Sequence, residues 1–77
     1  MKNKQQQQQG QLIGHGIYEF RDRGAALAWA RTTKQREPVF ATEFVNNEEE
    51  RTYYVATQRY IRLCNLGTVI SEAEENV

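Results

Sequence analysis

The sequence predicts a small α+β domain of βαββα order: a three-stranded, mainly antiparallel sheet with one helix packed on it, followed by a short C-terminal helix. Two apolar runs, VFATEFV and TYYVAT, flank the acidic, asparagine-containing segment NNEEE, which is the pattern of a β-hairpin. An alanine-rich run, GAALAWARTTKQ, follows the chain's only aspartate, Asp22, and ends before its only proline, Pro38. A third run, QRYIRLCNLG, has the spacing of a second helix closed by Gly67.

The hairpin occupies residues 38–57. In its first strand Phe40, Thr42 and Phe44 fall on one pleat face, and in its second Tyr53, Val55 and Thr57 oppose Tyr54 and Ala56. The turn is expected between about Asn46 and Glu50, because asparagine tolerates left-handed dihedrals and three adjacent glutamates favour solvent. Ahead of it, residues 12–20 (LIGHGIYEF) read as a strand weakened at Gly14 and Gly16, glycines that mark a bulge or a close backbone approach. The firm part of that strand is 17–20.

Asp22 is placed to cap the first helix, since a short carboxylate accepts amide protons that the first turn leaves unpaired. On the helical wheel Ala26, Trp29, Ala30 and Thr33 cluster, with Leu27 at the margin, while Ala28, Arg31 and Thr32 point away. Pro38 pushes the residue before it out of the α region, so the helix stops by about Gln35. Residues 58–66 fit a helix with Tyr60, Leu63 and Cys64 on one face, Ile61 beside them, Thr57 as cap and Gly67 as left-handed terminator. They also alternate as a strand would, Arg59, Ile61 and Leu63 against Tyr60, Arg62 and Cys64; the helix is the preferred reading. A few extended residues are expected around Val69 and Ile70.

Seventy-seven residues, 39% of them apolar and 26% charged, fit one globular domain. Residues 1–10 form a glutamine-rich tail with no apolar side chain after Met1, and 71–77 an acidic one; both are expected to be disordered, leaving 11–70 to fold. A core of that size is marginal, and a single cysteine, Cys64, cannot staple it within one chain. Self-association or a partner is therefore expected to contribute stability. The lone cysteine also fits a reducing compartment. With no apolar stretch of spanning length and no hydrophobic leader, the expected location is cytoplasmic, away from membranes.

The inventory of reactive residues argues against an enzyme, and no cofactor or metal is expected. His15 and Cys64 are single and lie far apart in sequence, which gives neither a ligand set nor an aligned nucleophile and base. Glu48, Glu49 and Glu50 crowd a turn and Glu72, Glu74 and Glu75 a tail, where both groups stay solvated rather than forming a desolvated acid–base pair. Ser71 has no nucleophile-elbow context, and the glycines are scattered singly.

What remains is binding. Tyrosine, tryptophan and arginine dominate interface hot spots, and the chain offers Tyr53, Tyr54, Arg59, Tyr60 and Arg62, with Glu48, Glu49 and Glu50 as a mimic of negative charge. The outer strand of the hairpin adds an unpaired edge. The leading expectation is a non-enzymatic module that binds a protein partner, as an inhibitor, an adaptor or a homodimer. The alternative is nucleic-acid binding through Arg21, Arg23, Arg31, Lys34 and Arg36 around the first helix and the Arg/Tyr-rich segment 59–62. Ten basic residues balanced by ten acidic ones remove the simplest electrostatic argument for it. In size, in the thin reactive inventory and in layout, the chain is similar in type to small accessory proteins of phages and other mobile elements, many of which inhibit a host protein by occupying a surface.

Overall fold

A computed structural model describes residues 10–33 and 35–71. The two expected tails lie outside this range, apart from Gly10 and Ser71. The elements are β1 (Gln11–Gly14), β2 (Ile17–Phe20), α1 (Arg23–Thr32), β3 (Val39–Val45), β4 (Arg51–Thr57), α2 (Gln58–Cys64) and β5 (Thr68–Val69). The α+β class and the antiparallel sheet are as expected, but the sheet has five strands, in the order β1-β2-β4-β3-β5, not three.

The first additional strand comes from the GHG segment. His15 and Gly16 both have positive φ, 55° and 75°, as a two-residue hairpin turn with the right-handed twist of its strands requires. The chain therefore reverses where a single weakened strand was expected, and Gly14 faces Ile17 across the new ladder. A register shift between Leu12 and Gly14 adds a bulge to β1. The second additional strand is β5, two residues that pair with Thr42 and Glu43 of β3. The middle of the hairpin's outer strand is thus covered, and among the described residues β1 is the outermost strand on the other side.

The expected hairpin forms, paired from Val39 opposite Thr57 to Val45 opposite Arg51. Its turn is organised by Asn46, whose side-chain oxygen accepts from the amides of Glu48 and Glu50 at 2.8 and 2.9 Å, while Glu49 takes the left-handed conformation. Asp22 caps α1, accepting from the Ala25 amide at 2.8 Å.

The two helices lie on opposite faces. Alternation along β4, the central strand, sends Tyr53 and Val55 to one side and Ala56 to the other. On the first side Phe20, Ala41, Tyr53 and Val55 pack against Ala26 and Leu27 of α1, with Trp29 tilted against Tyr18 and Phe20 at the margin. The alanines let this helix approach the sheet closely. On the second side Ile17, Ala56, Ile61 and Leu66 form a separate cluster under α2. Dividing a small chain into two thin apolar layers leaves Val55 and Thr42 as the largest side chains enclosed on all sides. The Thr42 hydroxyl is satisfied there by the Leu66 carbonyl at 2.8 Å.

Candidate interaction surface

Residues 58–64 are helical, but the helix presents a different face from the one its spacing suggests. It ends at Asn65, not Gly67: Asn65 is left-handed (φ 55°), and the Leu66 amide reaches back to the Ile61 carbonyl at 3.1 Å. This is a Schellman-type closure, in which the residue after the left-handed cap packs against the one that accepts its amide. Ile61 and Leu66 are accordingly both buried. Fixing Ile61 inward turns Leu63 and Cys64 out, and Leu63 is 70% exposed. Arg59, Arg62 and Leu63, at spacings of three and four, form one solvent-facing stripe.

Tyr60 is half-buried beside this stripe. Its ring stacks on His15 of the β1–β2 turn, with centroids 5.2 Å apart and planes 18° from parallel. The Arg59 guanidinium stands 6.0 Å from the same ring, and the turn and the helix are thereby held against each other. Arg59 also approaches Glu37 at 3.5 Å; both side chains are exposed, so the pair adds little stability. Arg62 has no ion-pair partner among the described residues. Next to the stripe a shallow groove of about 250 Å³ is lined by Glu37, Pro38, Phe40, Thr57, Gln58 and Arg59.

Tyr54 lies on the same side of the sheet as α2, half-buried against the second cluster. Burial raises its hydroxyl pKa, and the adjacent Glu19 raises it further through its charge and a hydrogen bond. Tyr53 is on the other side, 8% exposed beneath α1, with its hydroxyl turned to Glu43. Its ring is core and does not join the surface formed by Arg59, Tyr60 and Arg62. Glu48, Glu49 and Glu50 are exposed at the opposite end of the hairpin, about 20 Å from α2 along a seven-residue strand. They do not form one patch with the arginines.

The basic residues around α1 are also dispersed. Arg21 lines a polar hollow of about 370 Å³ with Glu19, Glu50, Arg51 and Thr52, so carboxylates stand beside it. Arg23 opens α1, Arg31 lies in its last turn and Arg36 in the link to β3; Lys34 lies outside the described residues. No group of three or more His, Cys, Asp and Glu able to hold a metal ion occurs among the described residues, and none of their helices is long and apolar enough to cross a membrane.

Leu63 was not legible as a surface residue, because an apolar side chain at helical spacing is normally assigned inward. The available signal was the pair Ile61 and Leu66 bracketing Asn65. No protein-family model, curated protein or solved structure matches the chain.

Proposed function

We propose that this chain is a non-enzymatic protein-binding module whose contact surface is the outer stripe of α2, Arg59, Arg62 and Leu63, with Tyr60 and its stacked His15 as a firm shoulder. The observation that carries this reading is Leu63. Leu63 is 70% exposed beside Arg59 and Arg62, on a helix whose other face is fixed by Ile61, which sets an apolar side chain next to two arginines, a residue type enriched at interface hot spots. The surface matches a partner with an apolar pocket rimmed by carboxylates, and it would act by occupying that pocket, as small inhibitors and adaptors do.

Nucleic-acid binding has less support, because Arg21 shares its hollow with Glu19 and Glu50 and the remaining cations of α1 lie at its two ends. The test is affinity capture from the source cell with the full chain, with Arg59→Glu/Arg62→Glu and with Leu63→Ser. The wild type should retain a stoichiometric partner that either variant loses, a hot-spot loss of about 2 kcal/mol or roughly thirtyfold in affinity. Arg31→Glu/Arg36→Glu should retain it. Equal recovery by all the variants would overturn the proposal. So would steeply salt-dependent binding to generic duplex or single strands that the α1 variant abolishes.

A further inference from the structure

We infer that the acidic segment after β5, Glu72, Glu74 and Glu75, is an internal ligand of the α2 surface. It crosses the groove beside α2, pairs with Arg59 and Arg62, and competes there with the carboxylates of a partner. The competition rests on the reading of α2 as the contact surface; the contact itself does not. Chain direction carries the inference. β5 runs antiparallel to β3, with Thr68 against Glu43 and Val69 against Thr42, and the Ile70 amide donates to the Ala41 carbonyl at 2.8 Å. Each residue gained after β5 therefore moves one residue back along β3, and the next step sets Ser71 level with Phe40. Phe40 lines the groove together with Glu37, Pro38, Thr57, Gln58 and Arg59. Ser71, 4% exposed, is the last described residue, and three of the four residues after it are glutamates. The ladder thus delivers an acidic segment to the mouth of this groove.

Residues 72–77 lie outside the described residues, but the surface they meet does not. Arg59 borders the groove, and Arg62 stands one turn further along α2; both are exposed. Arg62 has no ion-pair partner among the described residues. Arg59 meets Glu37 at 3.5 Å with both side chains exposed, a pair weak enough for another carboxylate to share or displace. Glu37 is the one acid lining the groove. Spacing agrees with charge. Residues three apart on a helix have Cβ atoms roughly 5–6 Å apart, and alternate residues of an extended chain recur on one side about every 7 Å. Glu72 and Glu74 therefore match Arg59 and Arg62. Four extended residues span roughly 13 Å, and a single strand spacing of about 5 Å separates β5 from β3.

Exposed ion pairs are individually weak, but a short tether holds the segment at millimolar effective concentration. Docked and released forms therefore coexist, and the segment attenuates partner binding without abolishing it. The other acidic group, Glu48, Glu49 and Glu50, sits at the opposite end of the hairpin and cannot substitute.

Amide NMR spectra of the full chain test this. Glu72→Gln/Glu74→Gln/Glu75→Gln should shift the amides of Phe40 and of residues 58–62. The shift should vanish when the same change is made in an Arg59→Gln/Arg62→Gln chain, and in 1 M salt, where charges are screened beyond about 3 Å. Glu48→Gln/Glu49→Gln/Glu50→Gln removes as much charge and should leave those amides in place. As a probe of the vacated site, a blocked peptide of residues 71–77 should bind the C-terminal variant at least about twofold more tightly than the wild type. Amides of α2 that ignore the C-terminal substitutions, that respond equally to those in the hairpin, or that still respond without the two arginines overturn the inference. Equal affinity of variant and wild type for the peptide overturns it too. Shifts that grow with protein concentration would assign the contact to the segment of a second copy, and equally overturn it. No partner enters these measurements, so failure of the affinity capture bears on the proposed function alone.

Discussion

Gly67 is the position where one methyl group should cost most. It has a φ of +107°, a region that residues with a Cβ occupy at a cost of about 1–3 kcal/mol. A Cβ built there runs into the carbonyl of Glu43 and the Cα of Phe44. Those atoms are backbone of β3 at the point where Glu43 pairs with Thr68, so relief requires β5 to leave the sheet. Overpacking of this kind adds about 1–3 kcal/mol. Gly67→Ala should therefore lose about 2–6 kcal/mol, comparable to the whole stability of roughly 3–5 kcal/mol that a core of this size supplies. At about 4–8 °C per kcal/mol, the melting temperature falls by at least about 10 °C, or the chain fails to fold cooperatively. Gly16→Ala is the control: its φ is also positive (75°), but its Cβ meets open space, so only the conformational part remains, about 1–2 kcal/mol. Urea and thermal unfolding followed by circular dichroism compare the two. If Gly67→Ala were no more costly than Gly16→Ala, the close approach of residue 67 to β3 would be wrong.

Thr57 precedes α2 as its N-cap residue, yet its side chain makes no capping bond, and its hydroxyl is buried without a hydrogen-bond partner among the described residues. An unpaired buried hydroxyl costs about 1–3 kcal/mol, so Thr57→Val should match or exceed wild-type stability; a loss of about 1 kcal/mol, usual for a working cap, would show that the hydroxyl caps after all. For Tyr54, burial and then Glu19 raise the hydroxyl pKa above its ordinary 10.0. Glu19→Gln should bring it part of the way back, read as the phenolate absorbance that Tyr54→Phe removes. Because the folded pKa is the higher one, this tyrosine's contribution to stability is present below about pH 10 and is lost as pH rises through its folded titration. Unfolding measured across that alkaline range should show a smaller decline in Tyr54→Phe than in the wild type.

Elements set by local chemistry were legible in the sequence. Alternation and the asparagine-containing turn placed the two strands of the hairpin, Asp22 marked the start of α1, and Pro38 bounded its link. What failed was reading glycine as an interruption: in GHG the histidine itself goes left-handed, which residue type does not announce, and a hairpin replaced a bulged strand. The terminator of α2 was misplaced for the same reason, since Asn65 took the left-handed role and released Gly67 for its approach to β3. That two-residue displacement changed the face of the helix and with it the candidate site, exposing Leu63 and Cys64 and burying Leu66. Tyr53 and Tyr54 could not be told apart by type. Which of them was core depended on the face that α1 covers, and that is a tertiary fact.

Leu63 and Ile61 separate binding from folding on the same helix. Ile61 is buried between Ile17, Ala56 and Leu66, so Ile61→Ala should cost about 2–5 kcal/mol. Leu63, mostly in water, has little left to lose: its substitution by serine should change stability by less than about 1 kcal/mol, with the modest helix-propensity difference included. Under the proposed reading, Leu63 serves a partner contact and not the fold. The joint expectation is an Ile61→Ala variant that unfolds early and a Leu63→Ser variant that melts with the wild type yet no longer holds its partner. If Leu63→Ser destabilised as much as Ile61→Ala, the helix would pack through Leu63 in solution, and the stripe of Arg59, Arg62 and Leu63 would not exist as a surface.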